Sequence, residues 1–300
     1  MTSPRLSIGM PVYNGARFLD RSIASVLEQD FTDFELIISD NGSDDATPEI
    51  CRAHADRDSR IRYHRSDVNR GAAWNFQRVL ELATGEYFKW AAHDDWYAND
   101  FLSRCIAVLD ADPGAVLCCS PMVVLDDDDR EIRVHRDELD GATSTSPVRR
   151  FHAMLWSVQD PTNLAFGVYR AAALKPIGYR NIPEPDRTLL GELILRGGFR
   201  QVDEPLYFRH APPGHWERRD QWLWLDPSNA GRRKLATARI AAAHVRAVAR
   251  ADLSAASKTA MWADLAAAMV ITRIRGKVRS IRTRRALRKA GVLTTSEETS

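Results

Sequence analysis

The sequence predicts an α/β protein: a doubly wound, mixed sheet with helices on both faces, followed by a C-terminal helical extension. Three observations carry that expectation. Short β-rich apolar runs alternate with segments of helical periodicity over the first 120 residues, and alternation at this pitch implies crossovers around a mainly parallel sheet. Polar clusters follow three of those runs, at "YNG", "DNGSDD" and "HDDW", which is where ligands bind on such sheets. From Gly231 onward the chain becomes Ala-rich, with helical spacing.

Taken in order, "LSIGMPV" reads as a buried strand ending at a Pro/Asn/Gly cluster, and "ARFLDRSIASVLEQ" as a helix. "FELIISD" is a second strand. In "TPEICRAHADR", Thr47 is predicted to cap a helix and Pro48 to occupy its first turn. Then come the strand "IRYHRS", the helix "AAWNFQRVLELA", the strand "EYFKWAA", the helix "FLSRCIAVLDAD" and the strand "AVLCCSPMVVL". Beyond residue 150 the pattern is less regular: "AFGVYR" reads as a strand, "DRTLLGELILRGG" as a helix closed by Gly197 and Gly198, and "FRQVDEPLYFRH" as one more strand. The expected organisation is a domain over 1–225 (a ligand-binding half over 1–120, a second half over 121–225), a basic helical extension over 226–290, and a disordered tail over 291–300.

Bulk properties exclude several classes. Four scattered cysteines with no C-x-x-C pair argue against a zinc site or a disulfide framework and fit a reducing cytoplasm. The N-terminus carries no secretory pattern, and no stretch reaches the roughly 20 apolar residues of a spanning helix. Between Arg232 and Lys289 sixteen Lys or Arg stand against two Asp, a net of +14; the whole chain is +2, so the remainder sums to −12. An acidic body therefore carries a basic tail.

Two segments carry the first signs of chemistry. In "SIGMPVYNG" an aromatic and an amide just past a strand end can stack on and hydrogen-bond a planar base, although Pro-x-x-Asn-Gly is also an ordinary turn. In "LIISDNGSDDAT" a helix cap explains Ser43, Asp44, Asp45 and Thr47 but leaves Asp40 at the strand end unexplained. Further on, Asp94 and Asp95 end an apolar run, and adjacent carboxylates resist burial unless a positive group accompanies them.

In order and spacing these segments resemble the family-two, GT-A-fold nucleotide-sugar glycosyltransferases. The likeness rests on five successive blocks over residues 5 to 120: "SIGMPVYN", "ELIISDNGSDDAT", Asn69 and Gly71 with "AAWN", "LATGEYFKW", and "HDDWYANDFL". The segment "EPDRTLLGELILRGGFRQVDEPLYFRH" resembles the family's acceptor side. The resemblance implies that Pro11, Tyr13, Asn14, Asp40, Asn69, Gly71 and Asp94 line the nucleotide site. It implies that Asp94, Asp95 and His210 meet a divalent ion, Mg²⁺ or Mn²⁺, at the donor diphosphate, with His215 a second candidate. Asp186 is implied as the general base that deprotonates an acceptor hydroxyl, which gives transfer with inversion. The implied partners are a nucleotide-diphosphate sugar and a glycan or lipid-linked acceptor in cell-envelope synthesis.

One departure bears on the ion. The family pattern is commonly D-x-D-D, and here Ala92 stands where the first acid is expected, so metal binding depends on Asp94 or Asp95, with His93 or His210 contributing. "LDADP" reads as a helix-terminating turn and "LDDDDR" as a solvated hairpin or loop, the alternative being a loop that borders the site. The basic tail, with Ile271, Ile274, Val278 and Ile281 on one face, has two readings, a solvated helix face without a function or a helix for anionic membrane surfaces, and its near-absence of acids favours the second; no aromatic interleaving supports nucleic acid. The expected location is cytoplasmic, peripheral at the inner membrane face. A rival reading is a non-catalytic nucleotide-sugar-binding or scaffold protein on the same fold. A dinucleotide-dependent oxidoreductase is disfavoured, because "MPVYNGA" stands where G-x-G-x-x-G would be needed.

Overall fold

A computed structural model describes residues 3–158, 161–210, 225–226 and 236–271. The chain forms two compact units, Met1–Ala251 and Asp252–Ser300. The first contains β1 (Leu6–Val12), α1 (Leu19–Leu27), β2 (Phe34–Asp40), α2 (Thr47–Ala55), β3 (Ile61–Arg65), α3 (Ala72–Leu82), β4 (Tyr87–Trp90), β5 (Asp95–Tyr97), α4 (Phe101–Ala111), β6 (Ala115–Cys119), β7 (Met122–Leu125) and β8 (Glu131–His135). It continues with α5 (Pro147–Trp156), α6 (Thr162–Ala165), β9 (Val168–Arg170), α7 (Ala171–Leu174), α8 (Pro185–Leu193), β10 (Gly198–Gln201), β11 (Tyr207–His210) and α9 (Ala236–Arg250). In the second unit the Ser254 hydroxyl accepts from the Ser257 amide at 3.2 Å at the start of α10, over 255–271.

Seven strands form one sheet in the order β10-β6-β9-β4-β1-β2-β3. All run parallel except β9, which lies antiparallel between β4 and β6. The apolar runs read from sequence sit where the pattern placed them, because β1, β2, β4 and β6 are buried at every position and need apolar side chains on both faces. The core follows from this, with Leu6, Ile8, Met10, Leu36 and Ile38 buried under Leu19, Ile23 and Val26 of α1.

Two of the expected strands are each two strands. "AVLCCSPMVVL" divides at Ser120-Pro121 into β6 and β7, and "FRQVDEPLYFRH" divides before Pro205 into β10 and β11. Proline has no N–H for the ladder and ends pairing at both places. The freed halves join β5 and β8 in a second sheet, ordered β5-β11-β7-β8, which the sequence pattern did not reveal. "AFGVYR" supplies only the three-residue β9, its start being taken by α6. Thr47 is not the cap of α2: Ala46 occupies that position, and the Thr47 hydroxyl instead accepts the Gly15 amide at 2.9 Å.

The boundary expected at 225 falls inside the first unit. Helix α9 packs on α8, where the buried His244 ring fills the space left by Gly191. Most of the basic face read as a membrane helix, the tail over 291–300 and His215 lie outside the described residues. No described helix is long and apolar enough to cross a membrane.

Candidate active site

Three loops at the carboxyl ends of β1 and β2 and the start of α3 are bonded into one unit. Asn14, in the left-handed region at φ 51°, donates its amide N–H to the Ser43 hydroxyl at 2.9 Å and its side-chain N–H to Asp44 at 2.7 Å. The Asn41 side chain donates to the Asn69 side-chain oxygen and the Gly71 backbone carbonyl at 3.0 and 3.1 Å, and accepts from the Arg70 amide. Gly71 opens α3 at φ 85°, a conformation a side chain would oppose. Pro11 is buried in β1, and Tyr13 is exposed at the mouth of this cluster. Such local side-chain-to-backbone bonds hold irregular loops without a core of their own.

Asp40, at the end of β2, is fully buried. Its carboxylate accepts from the Ser43 amide and the Tyr63 hydroxyl, both at 2.9 Å, and pairs with Arg65 at 3.3 Å. The unexplained acid of the sequence thus has an internal cation and two donors, which a buried charge requires.

Asp94 lies half-buried in the turn after β4, and Asp95 opens β5 at 2% exposure. Asp95 accepts from the Tyr207 hydroxyl at 2.5 Å and from the His210 amide at 3.2 Å. Burial, and then the charge of Asp94, push its carboxyl up to about 7. The His210 ring turns the other way, to Asp127 at 3.2 Å, and packs on Phe18 with centroids 4.4 Å apart. The "LDDDDR" loop therefore borders the site, tied to α1 and its approach by Arg17–Asp127 and Arg21–Asp129 pairs at 3.3 and 2.8 Å.

Asp94, Asp95 and His210 do not form one ligand set. Among the described residues no group of three or more His, Cys, Asp or Glu side chains is placed to hold a metal ion. A Mg²⁺-type ion needs only one or two carboxylates beside substrate phosphates, and Asp94 is the carboxylate of the pair with solvent access. Below Asp95, the fully buried Lys89 donates to the Phe166 carbonyl and lies 3.9 Å over Tyr97 and 4.4 Å over Phe101. Burial pulls its ammonium down to about 7.

Asp186 stands in the first turn of α8, after Glu184 at φ 48°. The Tyr179 hydroxyl donates to it at 3.1 Å, and the Tyr179 ring stacks on Phe76 at 4.7 Å and meets the Trp90 edge at 5.6 Å. Sequence reasoning missed Tyr63, Tyr179 and Tyr207, and within the "LDDDDR" loop it did not single out Asp127. A tyrosine seven residues before the proposed base was the only signal available for Tyr179.

Known proteins share both the sequence pattern and this fold. Over 104 residues the chain is 38% identical to an uncharacterized glycosyltransferase of Haemophilus influenzae, covering 35% of this chain and 42% of that one. The match thus spans less than half of that relative. Its structure resembles S. aureus TarS 1-349 in complex with UDP-GlcNAc, with a TM-score of 0.65 at 18% identity over 87% of this chain and 71% of that one. It also resembles the mannosyltransferase PcManGT from Pyrobaculum calidifontis in complex with GDP-Man and Mn²⁺, with a TM-score of 0.53 at 17% identity over 90% and 87%. The fold is that of the GT-A glycosyltransferases. Residues 7–174, more than half of the chain, match the family described as Glycosyl transferase family 2, and the protein belongs to that family.

Proposed function

We propose that the protein transfers a sugar from a nucleotide-diphosphate sugar to an acceptor hydroxyl, with inversion, on a glycan or lipid-linked acceptor of the cell envelope. One observation carries the reading. The strand ending at Trp90 leads into Asp94 and also supports, through Tyr179, the carboxylate of Asp186. A carboxylate for the leaving group and one for the acceptor thus share one support.

In this scheme the loops around Pro11, Tyr13, Asn14, Asn69 and Gly71 hold the nucleotide, with Asp40 fixing the end of β2 beneath it. Asp94 faces the diphosphate, and Asp95 with His210 holds the turn that presents it. A divalent ion at Asp94 would neutralise charge on the diphosphate oxygens. Asp186 takes the proton from the acceptor hydroxyl as the oxygen attacks the anomeric carbon from the face opposite the diphosphate, which inverts that carbon. Contact of the basic C-terminal segment with an anionic membrane belongs to the same proposal, on the charge of its sequence alone.

The test is a screen of nucleotide sugars with Mn²⁺, Mg²⁺ or chelator, comparing wild type with Asp186→Asn. Asp186→Asn is expected to keep donor binding and lose transfer by at least ~100-fold. Undiminished transfer by the variant removes Asp186 from the chemistry, and a signal indifferent to chelator removes the ion from Asp94.

A further inference from the structure

Tyr179 is held from three sides. Its amide N–H donates to the Gln77 side chain at 2.7 Å, a direction set by Gly178 at φ 67°. Its ring is stacked on Phe76 and braced by Trp90, and only 6% of the residue is exposed. The only polar atom this packing leaves on the side chain is the hydroxyl, and it donates to Asp186. Phe76 and Gln77 belong to α3, the helix opened by the Gly71 loop. Trp90 ends the strand that leads to Asp94.

From this arrangement we infer that Tyr179 is the positioning residue for Asp186: it fixes the rotation of the carboxylate and references it to the donor-side loops through α3 and β4. The inference rests on the reading of Asp186 as the base. Two effects follow from the bond. A carboxylate that accepts from a buried hydroxyl is favoured in its charged form, and its place in the first turn of the nine-residue α8 acts in the same direction. Asp186 therefore stays ionised to lower pH than it would without Tyr179. The bond also removes a rotation the carboxylate would otherwise have to lose on the way to the transition state.

Tyr179 and Tyr169, on neighbouring elements, both feel the charge of Asp186. Burial, and then the Asp186 charge, push both phenols well above their ordinary range. On the same turn Glu184 and Arg187 pair with each other at 2.8 Å.

The test is the pH profile of sugar transfer for wild type, Tyr179→Phe and Asp186→Asn, with thermal melting of each. Tyr179→Phe keeps the ring and its stacking and removes the hydroxyl. The plateau kcat is expected to fall about 10-fold and the acidic limb of kcat/KM to move about one pH unit higher, the range of a hydrogen bond to a charged group. The KM for the donor sugar is expected to stay at the wild-type value. A lower melting temperature with an unmoved acidic limb reduces Tyr179 to packing and overturns the inference. Should Asp186→Asn transfer as wild type does, the base reading falls and the inference falls with it. When Asp186→Asn is inactive and Tyr179→Phe is wild-type in both plateau and limb, only the inference falls. If Tyr179→Phe does not fold, Gln77→Ala, which leaves the hydroxyl but frees the backbone behind it, is expected to move the limb the same way by less. An unmoved limb in that variant also overturns the inference.

Discussion

The two sheets divide the work of the molecule unequally. In the seven-stranded sheet β1, β2, β4 and β6 are buried along their whole length, and the core of the unit is built on them. In the four-stranded sheet β5 has three residues, and β8 lies at the edge with four of its five residues exposed. Its own apolar cluster is Trp96, Val123 and Leu125 with Phe208 against them. Yet this thinner sheet carries Asp95, Tyr207 and His210. The large sheet supplies rigidity and the ends from which loops depart, and the small sheet supplies polar groups whose burial the large one has to sustain.

The largest expected effect tests the rigid half of that contrast. Leu36→Ala, at a fully buried position of β2, is expected to cost about 3 kcal/mol in chemical denaturation. A loss under about 1 kcal/mol would mean that the large sheet collapses around the gap and is not the stiff partner. A smaller effect probes the strain of the polar half. The folded Asp95 carboxyl gives up its proton near pH 7, not near the ~4 of an unfolded chain. The folded state holds more protons across that window, so stability declines as pH rises through it. Asp95→Asn is expected to flatten this decline in melting experiments from pH 5 to pH 8. An equal slope in both proteins would show that Asp95 is not the group under strain. The smallest effect concerns the edge: Ile132→Thr, on a residue that is 47% exposed, is expected to stay within about 0.5 kcal/mol of wild type. A larger loss would show that β8 contributes more than a cover.

The same division explains how far the sequence could be read. Strands such as "LSIGMPV" and "FELIISD" are long apolar runs because both faces are covered, and their ends match β1 and β2 residue for residue. The small sheet is made of second halves and fragments. "MVVL" and "YFRH" each follow a proline inside a longer apolar run, and "DWY" is too short to show a period. Nothing local marks them as a separate sheet. At the site, Asp40 and the Asp94–Asp95 pair stood out because acids at the ends of buried strands need a reason, whereas Asp186 was legible only through the family resemblance. Their partners did not stand out: Tyr63, Tyr207 and Tyr179 look like ordinary core aromatics until the fold brings each hydroxyl to a carboxylate. The expected metal ligands were the least legible part, since one of them, His210, turns its ring to Asp127.

The passage from one sheet to the other is a ribbon turning a corner. Strands β6 and β10 lie side by side in the large sheet, and their continuations β7 and β11 lie side by side in the small one. Both chains bend at the same level, where the Ser120 hydroxyl donates to the Glu204 carbonyl at 2.9 Å and accepts from the Leu206 amide at 2.6 Å. A single hydroxyl thus rivets the fold line. The two chains are geared together there, so an inserted or deleted residue on one side of the rivet throws the other out of step unless it is mirrored. Beyond that corner, β11 runs on to His210, whose backbone amide is the point at which the turned chain meets the buried acid.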